Sequence, residues 1–412
     1  MAGDLNVVHA GELHAVTDRG AARRGVEQGE STCIRDGAVA IRGGIIRAVG
    51  RSEHVLAEWG DGAPTIDAAG QVVVPGFIEA HAHPVFVGDR TDEYVDRLAG
   101  HRVGMAIGDD GGINGTVART RSASDAELAD GMRAVFADLL ACGVTTVEAK
   151  TGYGLQVSEE LRHLRLIEQV GSESPIDVVA TFLGGHVAPA ELCADDYVAL
   201  VEREMLPAVV EQGIASFNDV TCEAGVFDLA QCRRMMATAQ RLGLPNKVHA
   251  DAFADSGGWR LAVEARAVSA DHLTFTPDDD IADVGGCDTV AVLLPVAELM
   301  YRCERRASAR LLRDCEVPLA IATDYCASLG VVASLTGLVL AAPWFGLTPE
   351  EVLVGATLNA AYALGAAGTC GSLDVGKQGD LVFLRGPRLA TAFWRMGAGE
   401  PTRVVKSGVV VT

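Results

Sequence analysis

Two histidines one residue apart, His81-Ala82-His83, close an apolar run that starts at Val72 and passes through Val73, Val74, Phe77 and Ile78. Side chains alternate faces along a strand, so His81 and His83 project together from its end, close enough to share one metal ion. Other short β-branched runs also end in polar groups: Lys150 with Tyr153 shortly after, His186, Glu223, His249 with Asp251, Asp271-His272, and Asp324. A single strand-end histidine is explained by one hydrogen bond. Polar groups at nearly every strand end, four of those ends carrying histidine, are not explained by packing. Imidazole and carboxylate are the donors that suit zinc or ferrous iron, and a set of three His and one Asp leaves a position open for water. Such an ion brings the pKa of its water toward ~7. Asp324 and His272 are the candidates to take that proton and pass it to a leaving nitrogen. The chemistry predicted is metal-assisted hydrolysis of a carbon–nitrogen bond.

Eight runs must position these groups, at 72–83, 144–152, 177–186, 217–223, 245–251, 267–273, 289–295 and 318–324. Amphipathic stretches lie between most of them, for example DAELADGMRAVFADLLACG, SEELRHLRLIEQV, DLAQCRRMMATAQRLG and SARLLRDCE. Eight strand–helix units predict an α/β fold, a (β/α)8 TIM-like barrel, whose active site stands at the C-terminal strand ends. An open doubly wound sheet expects Gly-x-Gly-x-x-Gly after an early strand, and none is present. The two ends of the chain read differently. AVAIR and IIRAVG flank Gly43-Gly44, a two-residue hairpin turn. The last forty residues are similarly β-rich, with a second glycine turn in VVKSGVVV. Residues 1–71 and 366–412 are therefore expected to build one small β-sandwich, and 72–365 the catalytic barrel. The glycine clusters between 97 and 120 mark that stretch as a loop.

At 412 residues, 49% hydrophobic and 22% charged, the chain has the composition of a globular protein with a sizeable core. A net charge of -21 argues against nucleic acid as a partner, because phosphate binding requires clustered Lys and Arg. No apolar run approaches the ~18–20 residues of a membrane helix, and the N-terminus lacks the pattern of a secretory signal. The ten cysteines include no Cys-x-x-Cys pair, so they read as reduced thiols in a cytoplasm. A small molecule is the expected partner.

Several segments together resemble one family. HAHPVFVGDR, LLACGVTTVEAKTGYGL, VVATFLGGHVAP, VHADAF, SADHL, TVAVLLP, ATD and WFGLTPEEVLVGATLNAAYALG are similar, over nearly the whole chain, to imidazolonepropionases of the amidohydrolase superfamily. DVGKQGDLV resembles that superfamily's C-terminal return into its sandwich. The resemblance implies opening of the ring of 4-imidazolone-5-propanoate to N-formimidoyl-glutamate. It implies one divalent ion per chain, zinc or iron, on His81, His83, His249 and Asp324, and His272 as a catalytic histidine. It implies substrate contacts from Arg90, Tyr153 and His186, and a homodimer. Arg90, on the loop leaving the first barrel strand, suits a propionate because its planar fork matches a carboxylate. Lys150 has two readings, a carboxylated bridge to a second metal or a structural lysine, and the resemblance favours the mononuclear one.

Three places depart from that pattern. Where the family carries Glu or Gln after His-Ala-Asp, this chain has Ala252, whose methyl cannot hydrogen-bond. The Asn of the loop after Thr-Asp is replaced by Cys326, which either touches the ligand or fills the vacated space. Asp109-Asp110-Gly111-Gly112-Ile113-Asn114 replaces a Gly-Gly-Gly-Ile-Arg pattern. A site built to hydrogen-bond one substrate rejects analogues by ~10^4 or more. The expected substrate is therefore a related five-membered N-heterocycle bearing a carboxylate, imidazolone- or hydantoin-like. The alternative activity is deamination of a heteroaromatic or cyclic guanidine substrate, whose enzymes place Glu where this chain has Ala252. A catalytically silent scaffold would have lost metal ligands, and all four are present.

Overall fold

A computed structural model describes residues 2–60, 62–100, 111–331, 335–397 and 401–412. Eight parallel strands form the central sheet: β1 (Phe77–Glu79), β2 (Val144–Lys150), β3 (Asp177–Gly185), β4 (Phe217–Cys222), β5 (Asn246–Ala250), β6 (Ser269–His272), β7 (Val290–Leu293) and β8 (Leu319–Ile321). They pair in sequence order from β1 to β8. Just past their ends the circle is drawn together. The His83 amide donates to the Tyr325 carbonyl at 2.7 Å, and the Asp324 amide to the His81 carbonyl at 3.2 Å. Glu79 reinforces this seam. Its carboxylate accepts from the His81 and Thr323 amides and the Thr323 hydroxyl, and burial pushes its pKa up to about 7. β2 is buried at every residue, as a strand covered on both faces must be. The predicted helices stand at Asp125–Ala141, Val157–Glu173, Leu229–Arg241 and Ala309–Asp314.

The second sheet joins both ends of the chain. Its order is Val409–Val410, Arg403–Lys406, Leu381–Leu384, Val72–Pro75, Leu5–His14, Cys33–Arg42, Ile45–Arg51. The hairpin at Gly43-Gly44 forms as expected, with φ of +59° and +77°, the two positive values of a type I′ turn. Two expectations are corrected. Val72, Val73 and Val74 do not continue into the first barrel strand. They pair with Leu381–Leu384 in the terminal sheet, because Pro75-Gly76 interrupts the run and lets its halves enter different sheets. The stretch 97–120 is not simply a loop. Thr91–Leu98 and Gly112–Ser122 are helical, the latter despite three low-propensity glycines or threonines in its first turns, because its Ile113, Thr116, Val117 and Thr120 are buried. Asp109 and Asp110 lie outside the described residues.

Candidate metal centre and cavity

His81 and His83 leave β1, His249 sits in β5, and Asp324 follows β8. The structure brings their donor atoms to one point. His83 Nε2 lies 3.3 Å from both His81 Nε2 and His249 Nε2, and Asp324 Oδ1 lies 3.6 Å from the Nε2 atoms of His81 and His83. Ligands ~2.1 Å from a tetrahedral ion stand ~3.4 Å apart, so this spacing fits a single divalent ion. Tautomers fit as well: His81 Nδ1 is 2.6 Å from Asp271 Oδ2 and His249 Nδ1 is 3.1 Å from Asp219 Oδ2. The Asp271 carboxylate fixes the proton of His81 on Nδ1 and turns its Nε2 lone pair inward, while Asp219 stands beside His249 Nδ1 at ion-pair distance. Burial, followed by neighbouring positive groups, pushes His81 and His83 well below the usual imidazole range, keeping them neutral. Burial and Glu79 push the Asp324 carboxyl well up, so its charge is favoured there only beside a cation. The residues therefore fit a metal ion.

His272 ends β6 within the same cluster: one donor atom from each of His81, His272 and Asp324 lies within 4.8 Å of the others. His272 and Asp324 both adopt positive φ, +80° and +62°, left-handed backbone that non-glycine residues adopt at a cost of order 1–3 kcal/mol. The two side chains predicted to move protons thus share an unusual backbone geometry at the ends of β6 and β8.

Beside these groups lies a cavity of about 240 Å³. It is smaller than most drug-sized sites (~300–1,000 Å³) and suits a single ring with a short substituent. Arg90, Tyr153, His186 and Cys326 all line it, so every predicted substrate contact reaches one space. His186 Nδ1 donates to the Gly152 carbonyl at 2.9 Å, leaving Nε2 as an acceptor, and burial lowers its pKa to about 3. Arg90 donates from Nε and Nη2 to Glu93 Oε2 at 2.9 and 2.5 Å. Cys326 Sγ lies 3.2 Å from Ser328 Oγ, which pairs with the Tyr301 hydroxyl at 2.7 Å. Burial, then Asp324, pushes the Cys326 thiol up to about 12. Ala252 and Ile113 also line the cavity, so the departures at 252 and 326 face the ligand space.

Two strand-end groups have other work. Asp251 accepts from the Ser256, Gly258 and Trp259 amides and the Thr276 hydroxyl, anchoring the helix Gly258–Glu264. Lys150 lies beneath the metal cluster, with Nζ 2.6 Å from Asp219, 3.0 Å from Glu148 and 3.5 Å from Asp271. Burial alone would lower its pKa; the three carboxylates outweigh it and hold the ammonium well above its usual range. A protonated lysine is not the form that takes up carbon dioxide, which favours the structural reading. Sequence reasoning missed Arg97 and Tyr301, which also line the cavity. Arg97 was legible in part: it stands seven residues after Arg90 and four after Glu93, spacings that share a helix face. Tyr301 had no comparable signal. It closes a helix after β7, where spacing says nothing of direction.

The chain matches the profile of the amidohydrolase family over residues 72–411. It is 41% identical over 401 residues to the imidazolonepropionase of Syntrophobacter fumaroxidans, covering 96% of this chain and 94% of that protein. It is 41% identical over 417 residues to the imidazolonepropionase of Symbiobacterium thermophilum, at 99% and 97% coverage. Among solved structures it is similar in fold to an adenosine deaminase from Xanthomonas campestris with bound zinc (TM-score 0.71, 19% identity, 99% and 92% coverage). It is also similar to an atrazine chlorohydrolase from Arthrobacter aurescens complexed with zinc and atraton (TM-score 0.72, 17% identity, 99% and 95% coverage).

Proposed function

The chain belongs to the amidohydrolase family, within the imidazolonepropionase group, and on that premise we propose that it opens a small, carboxylate-bearing five-membered N-heterocycle of the imidazolone or hydantoin type. It is a hydrolase of carbon–nitrogen bonds other than peptide bonds, acting on cyclic amides or amidines. The observation that carries the finer reading is the convergence of four donor atoms at 3.3–3.6 Å on the edge of a cavity lined by arginine.

His81, His83, His249 and Asp324 would hold one divalent ion, zinc or iron, which when bound polarises the ring carbonyl and makes water nucleophilic at neutral pH. Asp324, with its second oxygen, takes the proton of the attacking water. His272, neutral and unliganded, orients the ring and relays that proton from Asp324 to the departing nitrogen, accepting at one ring nitrogen as it donates from the other. His186 accepts a ring N–H at Nε2, Tyr153 donates from its hydroxyl, and Arg90 stands at the carboxylate end. Ala252 and Cys326 offer a methyl and a thiol where a carboxamide or carboxylate would grip an unmodified imidazolone, leaving space for a ring with a larger or softer substituent. The mononuclear assignment is supported by Lys150, whose charge is taken up by three carboxylates.

The same reading divides the chain into a sandwich from 1–71 and 366–412 and a barrel from 72–365, with the strand Val72–Pro75 lent to the sandwich. It assigns the enzyme to the cytoplasm, a reading supported by ten cysteines that form no disulfide. It gives it a small-molecule partner rather than nucleic acid or a membrane, and a homodimeric state. Among the described residues no helix is long and apolar enough to cross a membrane.

The test is turnover of 4-imidazolone-5-propanoate and hydantoin-5-propanoate by protein loaded with one zinc or iron per chain, followed at the ring absorbance. Ring opening of either supports the proposal. Opening of neither, at full metal occupancy, overturns it, and ammonia release from purines, pyrimidines or cyclic guanidines would put an aminohydrolase in its place.

A further inference from the structure

The cavity wall carries two guanidinium groups but, among the described residues, only one carboxylate paired to them. Arg90 spends its Nε–Nη2 edge on Glu93 Oε2. The other oxygen of Glu93 accepts the Gly112 amide at 2.8 Å, so Glu93 is fully used tying Arg90 to the start of the helix Gly112–Ser122. Arg97 is the other cation. It is 8% exposed and lies within no ion-pair distance of a carboxylate among the described residues. Its Nη2 donates to the Ser328 carbonyl at 3.0 Å, its guanidinium carbon stands 5.1 Å from the centre of the Tyr301 ring, and its Nε has no partner among the described residues. A buried guanidinium satisfied by one carbonyl and one aromatic face is a costly arrangement unless an anion completes it. Among the described residues Glu93 is the one carboxylate at ion-pair distance from either guanidinium, and its contacts go to Arg90, so Arg97 keeps donors for an incoming anion such as a substrate carboxylate.

We infer that Arg97 is the residue that recognises the substrate's carboxylate, with the Arg90–Glu93 pair beside it acting as a nearly neutral wall. This rests on the reading of the cavity as the substrate site and assigns its specificity to a residue outside the predicted set. Arg97 is well placed for that task. Its Ser328 anchor lies in the loop that follows Asp324, so the anion-binding end and the metal end of the cavity are held by one segment. Tyr301 stiffens it from the other side through its face and its hydroxyl contact with Ser328.

The experiment is calorimetric titration of metal-loaded protein with imidazole-4-propanoate and with imidazole-4-propanamide, neither of which has a ring carbonyl to hydrolyse. The wild type is expected to prefer the acid. Arg97→Met should weaken the acid about 100-fold and leave the amide within about twofold, as loss of a buried charge-assisted fork implies. Should Arg97→Met fail to fold, Arg97→Lys replaces it and is expected to cut the acid preference about tenfold, because an ammonium keeps the charge and loses the fork. An acid preference unchanged in the folded variant, or absent from the wild type, overturns the assignment. The probes are not turned over, so the result is independent of ring opening. Hydrolysis with an unchanged preference removes Arg97 alone; a preference lost in the variant without hydrolysis of any ring removes the proposed reaction and keeps Arg97.

Discussion

Asp271 Oδ2 stands 2.6 Å from His81 Nδ1, and both side chains are completely buried. Asp271 is itself steadied by the Ser269 hydroxyl at 2.7 Å. The pair decides which nitrogen of His81 carries the proton and therefore which one can bind a metal. Asp271→Asn keeps the shape but presents an amide that can hydrogen-bond either tautomer. Metal affinity should fall about 10- to 100-fold, the usual cost of losing a carboxylate behind a histidine ligand. Competition against a chromophoric chelator measures it; an unchanged affinity would show that the contact orients nothing.

Lys150 makes an opposite demand. Replacing it with Met removes the ammonium shared by the buried carboxylates of Glu148, Asp219 and Asp271 and leaves, among the described residues, Lys247, 2.6 Å from Glu148, as the remaining lysine paired with them. Unpairing a buried ion network of this kind costs about 3–5 kcal/mol, which urea unfolding of Lys150→Met would register. Activity of the wild type should be the same with and without added bicarbonate. A bicarbonate requirement would revive the carboxylated, two-metal reading.

Asp324 has two tasks, holding the ion and accepting a proton, and Asn performs the second not at all. Asp324→Asn should lower kcat by about 10^3-fold or more, while circular dichroism and the unfolding midpoint stay near the wild type, because the backbone hydrogen bond from the Asp324 amide to His81 is untouched. Full activity in this variant would refute the mechanism.

How much of this was legible beforehand depends on what carries the signal. His81, His83, His249 and Asp324 were legible because period-two alternation and β-branched runs fix where a barrel strand ends, and a barrel brings strand ends together. Gly43-Gly44 was legible because only positive φ angles make that turn. Val72–Pro75 was not: three buried valines before a proline look alike in either sheet, and pairing with Leu381–Leu384, some three hundred residues away, decides. Gly112–Ser122 was obscured by glycines whose low helix propensity is offset by burial of Ile113 and Val117. Asp251 carried the right residue type at the right strand end, yet its carboxylate turns to cap a helix; direction of a side chain is tertiary information. Glu148, Asp219 and Lys247 sit in mid-strand, where a hydrophobic pattern predicts no charge at all.

His163 lies in the helix Val157–Glu173, fully buried, and neither ring nitrogen has a hydrogen-bond partner among the described residues. Burial lowers its pKa from 6.5 to about 3, with Arg162 and Arg121 pushing the same way and Asp125 opposing. The folded chain therefore leaves His163 neutral at acid pH, whereas the unfolded chain protonates it below about 6.5. Between those limits the unfolded state binds one more proton, so stability is fully present above pH 6.5 and falls as the pH drops, by ~1.4 kcal/mol per pH unit from this residue. His163→Leu keeps the volume and removes both the proton site and two unpaired polar atoms, whose burial costs ~1–3 kcal/mol. The variant should be at least as stable as the wild type at pH 7 and clearly more stable at pH 5, and the gap should widen toward pH 4. Urea midpoints of the two proteins at pH 7, 5 and 4 test this. A gap that does not change with pH would mean that His163 is protonated to the same extent in both states, against the burial and the missing partners.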